Sequence, residues 1–241
     1  MNAITITNLT KKYGDFTAVN DLNLQIEKGE LFALLGTNGA GKTTTIQMLS
    51  CLLPPTSGDA TLLNNSISKH SQAVKQIINI SPQETAVAAN LTVLENLEFI
   101  AGIYGANQNR SRQEAKEMAS RFALDHVLSQ KAKTLSGGME RRLSIAMALI
   151  TKPQVLFLDE PTLGLDIIAR RELWTAIKAL KGQVTIILTT HYLDEVEALA
   201  DRIGVMNNGT LTATGTAAEL TAQTGTTKLE DAFITLVGGV V

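Results

Sequence analysis

Apolar and polar residues alternate through AITITNL (3–9) and VNDLNLQI (19–26), the period-two pattern of half-buried strands, with YGD and KGE as turn signals. LFALLG (31–36) is apolar throughout and predicts a strand covered on both faces. It runs into a glycine-rich loop and the helical stretch KTTTIQMLSCLL, which PPTSG stops. GDATLLNNSI reads as a short strand pair, and VKQIINISPQ ends in a loop containing Gln83. From about 84 to 150 apolar residues recur at three and four, as in TVLENLEFIAGIYG and RQEAKEMASRFAL, so this block is predicted to be helical. Strand and helix then alternate again: QVLFLDE, ARRELWTAIKAL, VTIILTT, LDEVEALA and RIGVMNNG. Runs such as VLFL and TIIL fit a parallel sheet with helices on both sides. The predicted architecture is α/β, with an N-terminal antiparallel β subdomain, a core over about 1–83 and 151–225, and the helical block inserted between its halves. In LEDAFITL the residues Leu229, Ala232, Phe233 and Leu236 share one helical face, which predicts a helix over about 228–237 that closes the core, a face for binding a partner being the alternative.

Composition narrows the chemistry. The 241 residues carry a net charge of -2, 44% hydrophobic and 18% charged residues, so no basic surface argues for nucleic acid as a partner. The single cysteine, Cys51, lies in the apolar stretch MLSCLLP and is expected in the core of a protein from a reducing compartment. The N-terminus reads as a strand and not as a signal peptide. Runs such as VLFL and IAMALI are far shorter than the roughly 20 residues that span a bilayer, so any work at a membrane is expected to go through a partner.

Two phosphate-gripping helix starts are legible. GTNGAGKTT fits the P-loop pattern at every required position, between a strand and a helix. Backbone amides over Gly36, Thr37, Asn38, Gly39, Ala40 and Gly41 would wrap phosphate, Lys42 would reach the β and γ oxygens, and Thr43, followed by Thr44, would place its hydroxyl on Mg²⁺. LSGGM, by contrast, puts Ser136, Gly137 and Gly138 before a helix with no lysine of its own, a second place where free N–H groups and a positive dipole end favour an anion. VLFLDEP ends an apolar strand with Asp159 and Glu160, at the edge where open α/β sheets bind ligands. Asp159 suits a Mg²⁺ partner, and Glu160 suits a base or orienter for attacking water. TTHYLDE puts His191 at the same edge; His70 and His126 carry no assigned role.

The P-loop, Gln83 after a strand, LSGGM, LFLDEPTLGLD and TTHYLDE occur in the order and approximate spacing of the nucleotide-binding domain of ATP-binding cassette (ABC) ATPases, which the chain resembles over nearly its whole length. The resemblance implies one ABC ATPase domain over 1–241, built on a P-loop NTPase core with a helical subdomain inserted before the signature motif. It implies ATP and Mg²⁺, Tyr13 stacked on adenine, Gln83 at Mg²⁺ and water, and His191 at the γ-phosphate. It further implies a head-to-tail dimer in which Ser136, Gly137 and Gly138 grip the nucleotide of the partner, and Asp166 lies in the loop that crosses the interface. The alternative for Tyr13 is a strand-end ring packed on the core. Met139 stands where many members have glutamine, and Ile167 where a proline often follows the aspartate.

The segments LSGGMERRLSIAMALI, EPTLGLD, RRELW, TTHYLDEVEALADRI and LEDAFITLVGG are similar to those of bacterial exporters of drugs, antibiotics, lipids or sodium. That similarity implies an exporter subunit working with a separately encoded membrane permease, held peripherally on the cytoplasmic face. A soluble ABC ATPase, as in iron–sulfur assembly, is the alternative. No heptad array of the DNA-repair type is present, nor the second cassette of translation factors.

Overall fold

The computed structural model describes residues 1–238; the last glycine of LEDAFITLVGG and the end of the expected 1–241 domain lie outside them. Strands β1 (Asn2–Tyr13) and β2 (Phe16–Glu27) form a long antiparallel hairpin joined by Gly14 in left-handed backbone, φ 57°. β3 (Leu31–Gly36) leads through the glycine loop into α1 (Lys42–Leu49). β4 (Ser57–Leu62) and β5 (Asn65–Ser66) complete a four-stranded sheet of order β2-β1-β4-β5. The stretch VKQIINISPQ divides into α2 (Ser71–Ile77) and β6 (Ile78–Ser81).

Three helices follow before the sheet resumes: α3 (Val93–Ile103), α4 (Gln108–Arg121) and α5 (Gly137–Leu149). Thr92 and Glu95 close a capping box on α3, and Ser136 caps α5 by accepting from the Met139 N–H at 3.3 Å. Then come β7 (Val155–Asp159), α6 (Ile167–Lys178), β8 (Thr185–Thr190), α7 (Leu193–Leu199) and β9 (Arg202–Asn207). The chain finishes with β10 (Thr210–Gly215), α8 (Ala217–Thr224) and α9 (Leu229–Leu236). The second sheet has the order β10-β9-β3-β8-β7-β6, parallel except for β10.

Period-two burial explains why the central strands are apolar at every position. Leu156, Leu158, Ile186 and Leu188 enter the core shared with α3, α4, α5 and α6, whereas Phe157 and Ile187 point to the opposite face, against α1 and the antiparallel sheet. A third cluster, around Ala33, Leu35 and Val205, is closed by α9 through Leu229, with Phe233 and Leu236 packed at its edge. Cys51 departs from expectation: it is only partly buried, one residue beyond the cap of α1, in left-handed backbone at φ 57°. The helix ends before it, and its thiol pKa is pushed up by partial burial.

Candidate functional site

The glycine loop is shaped by close backbone approaches. A Cβ on Gly36 would lie 2.5 Å from the Met206 carbonyl oxygen, and one on Gly41, at φ 101°, would lie 2.5 Å from that of Ala18. Only glycine fits both places without moving main chain. Lys42 is buried, and its Nζ donates back across the loop to the carbonyls of Gly36 at 2.8 Å and Thr37 at 3.2 Å.

The edge formed by β7 and β8 supplies the rest. Asp159 Oδ1 accepts from Thr43 Oγ1 at 3.2 Å and from Thr189 Oγ1 at 2.5 Å, so the end of β7 is tied to the first turn of α1. Glu160 turns away from the strand in left-handed backbone, φ 48°, rare for a residue with a side chain and characteristic of functional sites. Its N–H is held by the Thr189 carbonyl at 3.0 Å. One carboxylate oxygen is 3.4 Å from Lys42 Nζ, and the other is 2.8 Å from His191 Nδ1. Glu160 thus sits, 6% exposed, between the loop lysine and the histidine.

Of these groups Lys42, Thr43, Glu160 and His191 open into one cavity of about 420 Å³, which Tyr13, Gln83 and the rest of residues 38–44 also line; Asp159 lies beneath it, 4% exposed. Tyr13 is 49% exposed at the cavity mouth, not packed into the core, and Lys11 Nζ lies over its ring at 5.3 Å from the centroid. Phe16 and Leu163, which sequence reasoning did not select, line the same space. Phe16 follows the YGD turn directly, so the hairpin that places Tyr13 also places it.

Ser136, Gly138 and Asp166 are not brought to this cavity. They line a separate cleft of about 610 Å³ with Met139, Arg142 and Ile168, where His126 also reaches. Asp166 caps α6, accepting from the N–H groups of Ile168 and Ala169 at 2.9 Å. The glycines of LSGGM differ from each other: Gly137 faces open space, with Leu165 no nearer than 3.9 Å, whereas a Cβ on Gly138 would meet that of Ala169 at 2.8 Å. Gly138 is therefore required by the close approach of α5 to α6, a packing reason that the sequence pattern did not reveal.

The residue most clearly missed is Arg141. Its guanidinium, 5% exposed, donates to the carbonyls of Asp159 at 2.6 Å, Pro161 at 2.8 Å, Pro82 at 2.5 Å and Gln83 at 3.2 Å. A side chain from the helix begun by Ser136 thereby ties together the chain around Glu160 and the loop carrying Gln83. Burial lowers its pKa to about 10, against the opposing fields of Asp159, Glu195 and Glu160, so it remains a cation at neutral pH. The only hint in sequence was a polar residue on the helix side facing the sheet, next to an exposed-looking twin, Arg142.

The residues that converge on the cavity, 13 to 191, bracket the whole span 19–163 matched by the protein-family model described as ABC transporter. Over 97% of its length the chain is 40% identical to the probable multidrug ABC transporter ATP-binding protein YbhF of Escherichia coli (strain K12), spanning 41% of that longer protein. It is 41% identical, over 95% of its length and 72% of the relative's, to the daunorubicin resistance ATP-binding protein DrrA3 of Streptomyces coeruleorubidus. A solved dimeric ATP-binding cassette in a post-hydrolysis state, bound to ADP and Pi, matches with a TM-score of 0.79 at 26% identity, over 88% of this chain and 98% of that one. Agreement in family model, in sequence over nearly the full length and in fold leads to one conclusion: the chain belongs to the ABC transporter family, as an ATP-binding member.

Proposed function

We propose that this chain, working as one ATPase unit, binds and hydrolyses ATP as a pair of copies and so drives export through a separate membrane permease. The observation that carries this reading is the division of the site. The cavity with Lys42, Glu160 and His191 and the cleft with Ser136, Gly138 and Asp166 lie apart on one molecule, so a complete site needs the cleft of a second copy over the cavity of the first.

In this reading the amides of the glycine loop hold the phosphates. Lys42 exchanges its carbonyl partners for β and γ oxygens, which loosens its hold on Glu160. Tyr13 stacks on the adenine ring. Glu160, kept in place by His191, orients water in line with the γ-phosphorus and takes its proton, while the bridging oxygen leaves with ADP. His191 also faces the γ-phosphate. Thr43, Asp159 and Gln83 are oxygen donors and fit Mg²⁺, and the contact of Thr43 with Asp159 puts two of them at one point. No group of three or more His, Cys, Asp or Glu side chains able to hold a metal occurs among the described residues, which suits an ion held by one carboxylate and the nucleotide's own phosphates. Mg²⁺ bound there supplies neutralisation of the phosphate charge.

Replacing Ser136 with tryptophan tests the paired site. ATP binding to the single chain is expected to survive, while steady-state turnover falls by about tenfold or more and loses cooperativity. Unchanged cooperative turnover would reject the two-copy site.

The transport reading is supported by the names of the relatives, both transporter or resistance ATP-binding proteins, which favours it over a soluble iron–sulfur role. No helix among the described residues is long and apolar enough to cross a membrane, so the membrane path would belong to another segment or chain. The permease would be met from the cytoplasmic side. Phe99, Ile103 and Tyr104, 58%, 61% and 56% exposed at the end of α3, offer an apolar contact for it. Tagged protein carrying Glu160→Gln, captured with ATP from detergent-solubilised membranes, is expected to bring down a polytopic membrane protein. Adding Phe99→Asp and Ile103→Asp is expected to release that partner and leave the ATP-bound pair intact. Capture of soluble proteins alone would reject the transport reading.

A further inference from the structure

The loop that carries His191 is gripped from the side by α6, the helix that Asp166 caps. Tyr192 places its ring against that of His191, with centroids 4.1 Å apart and planes tilted by 41°. On Tyr192 in turn lies the guanidinium of Arg170, its Cζ 4.7 Å from the ring centroid. The same guanidinium reaches Asp194 Oδ2 at 2.8 Å through Nη1. One turn further along α6, the indole N–H of Trp174 donates to Glu195 at 3.2 Å. Glu195 is fully buried, and burial pushes its pKa up. Tyr192, Asp194 and Glu195 are therefore all tied to a single helix, and the Tyr192 ring contacts both the Arg170 guanidinium and the ring of His191.

We propose that Arg170 is a positioning residue for hydrolysis: by clamping Tyr192 it fixes the orientation of the His191 ring, and through the bond from Nδ1 to Glu160 it fixes the base. The inference rests on the roles given above to His191 and Glu160. A planar guanidinium suits the task because it stacks on an aromatic face while donating from its edge, which a lysine ammonium cannot do. The ion pair with Asp194 contributes less, since that carboxylate is more than half exposed and screened by water. The chemistry is untouched by Arg170 itself, which does not line the cavity around Lys42 and Glu160.

The test is ATP turnover by the full chain across a set of variants, with ATP affinity and thermal midpoint measured alongside. Arg170→Ala and Tyr192→Ala are each expected to lower kcat about tenfold with KM for ATP nearly unchanged, a loss well inside the hundredfold that a misplacement of about 1 Å can cause. Tyr192→Phe, which keeps the ring, is expected to retain the wild-type rate, and Asp194→Asn nearly so. Arg170→Lys keeps the charge and is expected to remain impaired. In a His191→Ala background, Arg170→Ala is expected to add no further loss, because its route to the base has been removed. Wild-type kcat in Arg170→Ala would overturn the proposal alone, as would an equal loss with and without His191. Wild-type turnover in His191→Ala itself would overturn the underlying reading of the site, and this proposal with it.

Discussion

Glu160→Gln is expected to lower ATP turnover by about a hundredfold or more, within the range that a positioned general base contributes. Glutamine has nearly the shape of glutamate and can still accept from His191, so the cavity should keep its form. What it lacks is the ability to take a proton from water and the charge that pairs with Lys42 at 3.4 Å. Lys42 is then freer to meet phosphate, and a carboxylate that would face the γ-phosphate is gone. ATP binding should therefore be retained or tightened, and ATP-bound pairs should accumulate because hydrolysis no longer releases them. Phosphate release gives the first quantity, and size-exclusion chromatography with and without ATP gives the second. Turnover at wild-type level would remove Glu160 from the proposed mechanism.

Arg141→Ala is expected to act on stability and catalysis together. Alanine would leave the carbonyls of Pro82, Gln83, Asp159 and Pro161 without their donor in a site that is 95% shielded in the case of Arg141 itself, its exposure being 5%. Each orphaned carbonyl costs about 1–3 kcal/mol unless water enters the space left behind. A loss of about 3 kcal/mol allows for such entry, and for a chain of this length it lowers the thermal midpoint by roughly 10 °C. Because burial lowers the guanidinium pKa only to about 10, the cation is present in both folded and unfolded states at neutral pH. The penalty of burial is then constant below that value and fades only as pH rises through it, so the stability difference should not change between about pH 6 and 9. Turnover should fall because the loop of Gln83 and the turn of Glu160 lose a shared tether. Arg141→Lys offers one ammonium to four carbonyls and should recover only part of either loss. A thermal midpoint and a kcat both equal to wild type would show that the tether is idle.

The strand and helix order was legible wherever burial was one- or two-sided and uniform: LFALLG, VLFL and TIIL are apolar because the sheet is covered on both faces, and nothing else in a chain of ordinary composition requires that. The end of the fold was harder to read. β10, with the sequence TLTATG, buries little along its length and is an edge strand whose partner is β9 alone. Its signal was in the turn, where Asn208 and Gly209 both adopt left-handed backbone, φ 47° and 79°, the asparagine–glycine pattern of a tight hairpin. α8 likewise announces itself in Thr216 and Glu219, which form a capping box, and in the left-handed Gly225 that ends it. Local turn and cap chemistry identifies such elements; hydrophobic periodicity does not.

For the site, the sequence alone determined what is local. The spacing GTNGAGKTT, a strand followed by Asp159 and Glu160, and a strand followed by His191 are properties of consecutive residues, because the loop, the strand end and the helix start that make them are each a few residues long. It also determined that two helices start behind glycines, at GTNGAGK and at LSGGM, and that only the first carries a lysine there. What only tertiary structure decided is how side chains far apart in the chain share partners. Arg141 and Arg142 are adjacent and alike in type, yet one is closed under the catalytic edge by four carbonyls and the other pairs with Glu172 at 3.3 Å near the surface. Gly138 looks like a phosphate glycine and is required by Ala169, thirty-one positions on by sequence number. The bond of His191 to Glu160, the clamp of Arg170 on Tyr192 and the separation of the Ser136 cleft from the Lys42 cavity belong to the same class. Each depends on where the β-sheet and α6 set one backbone against another, and no pattern within a window of sequence encodes that distance.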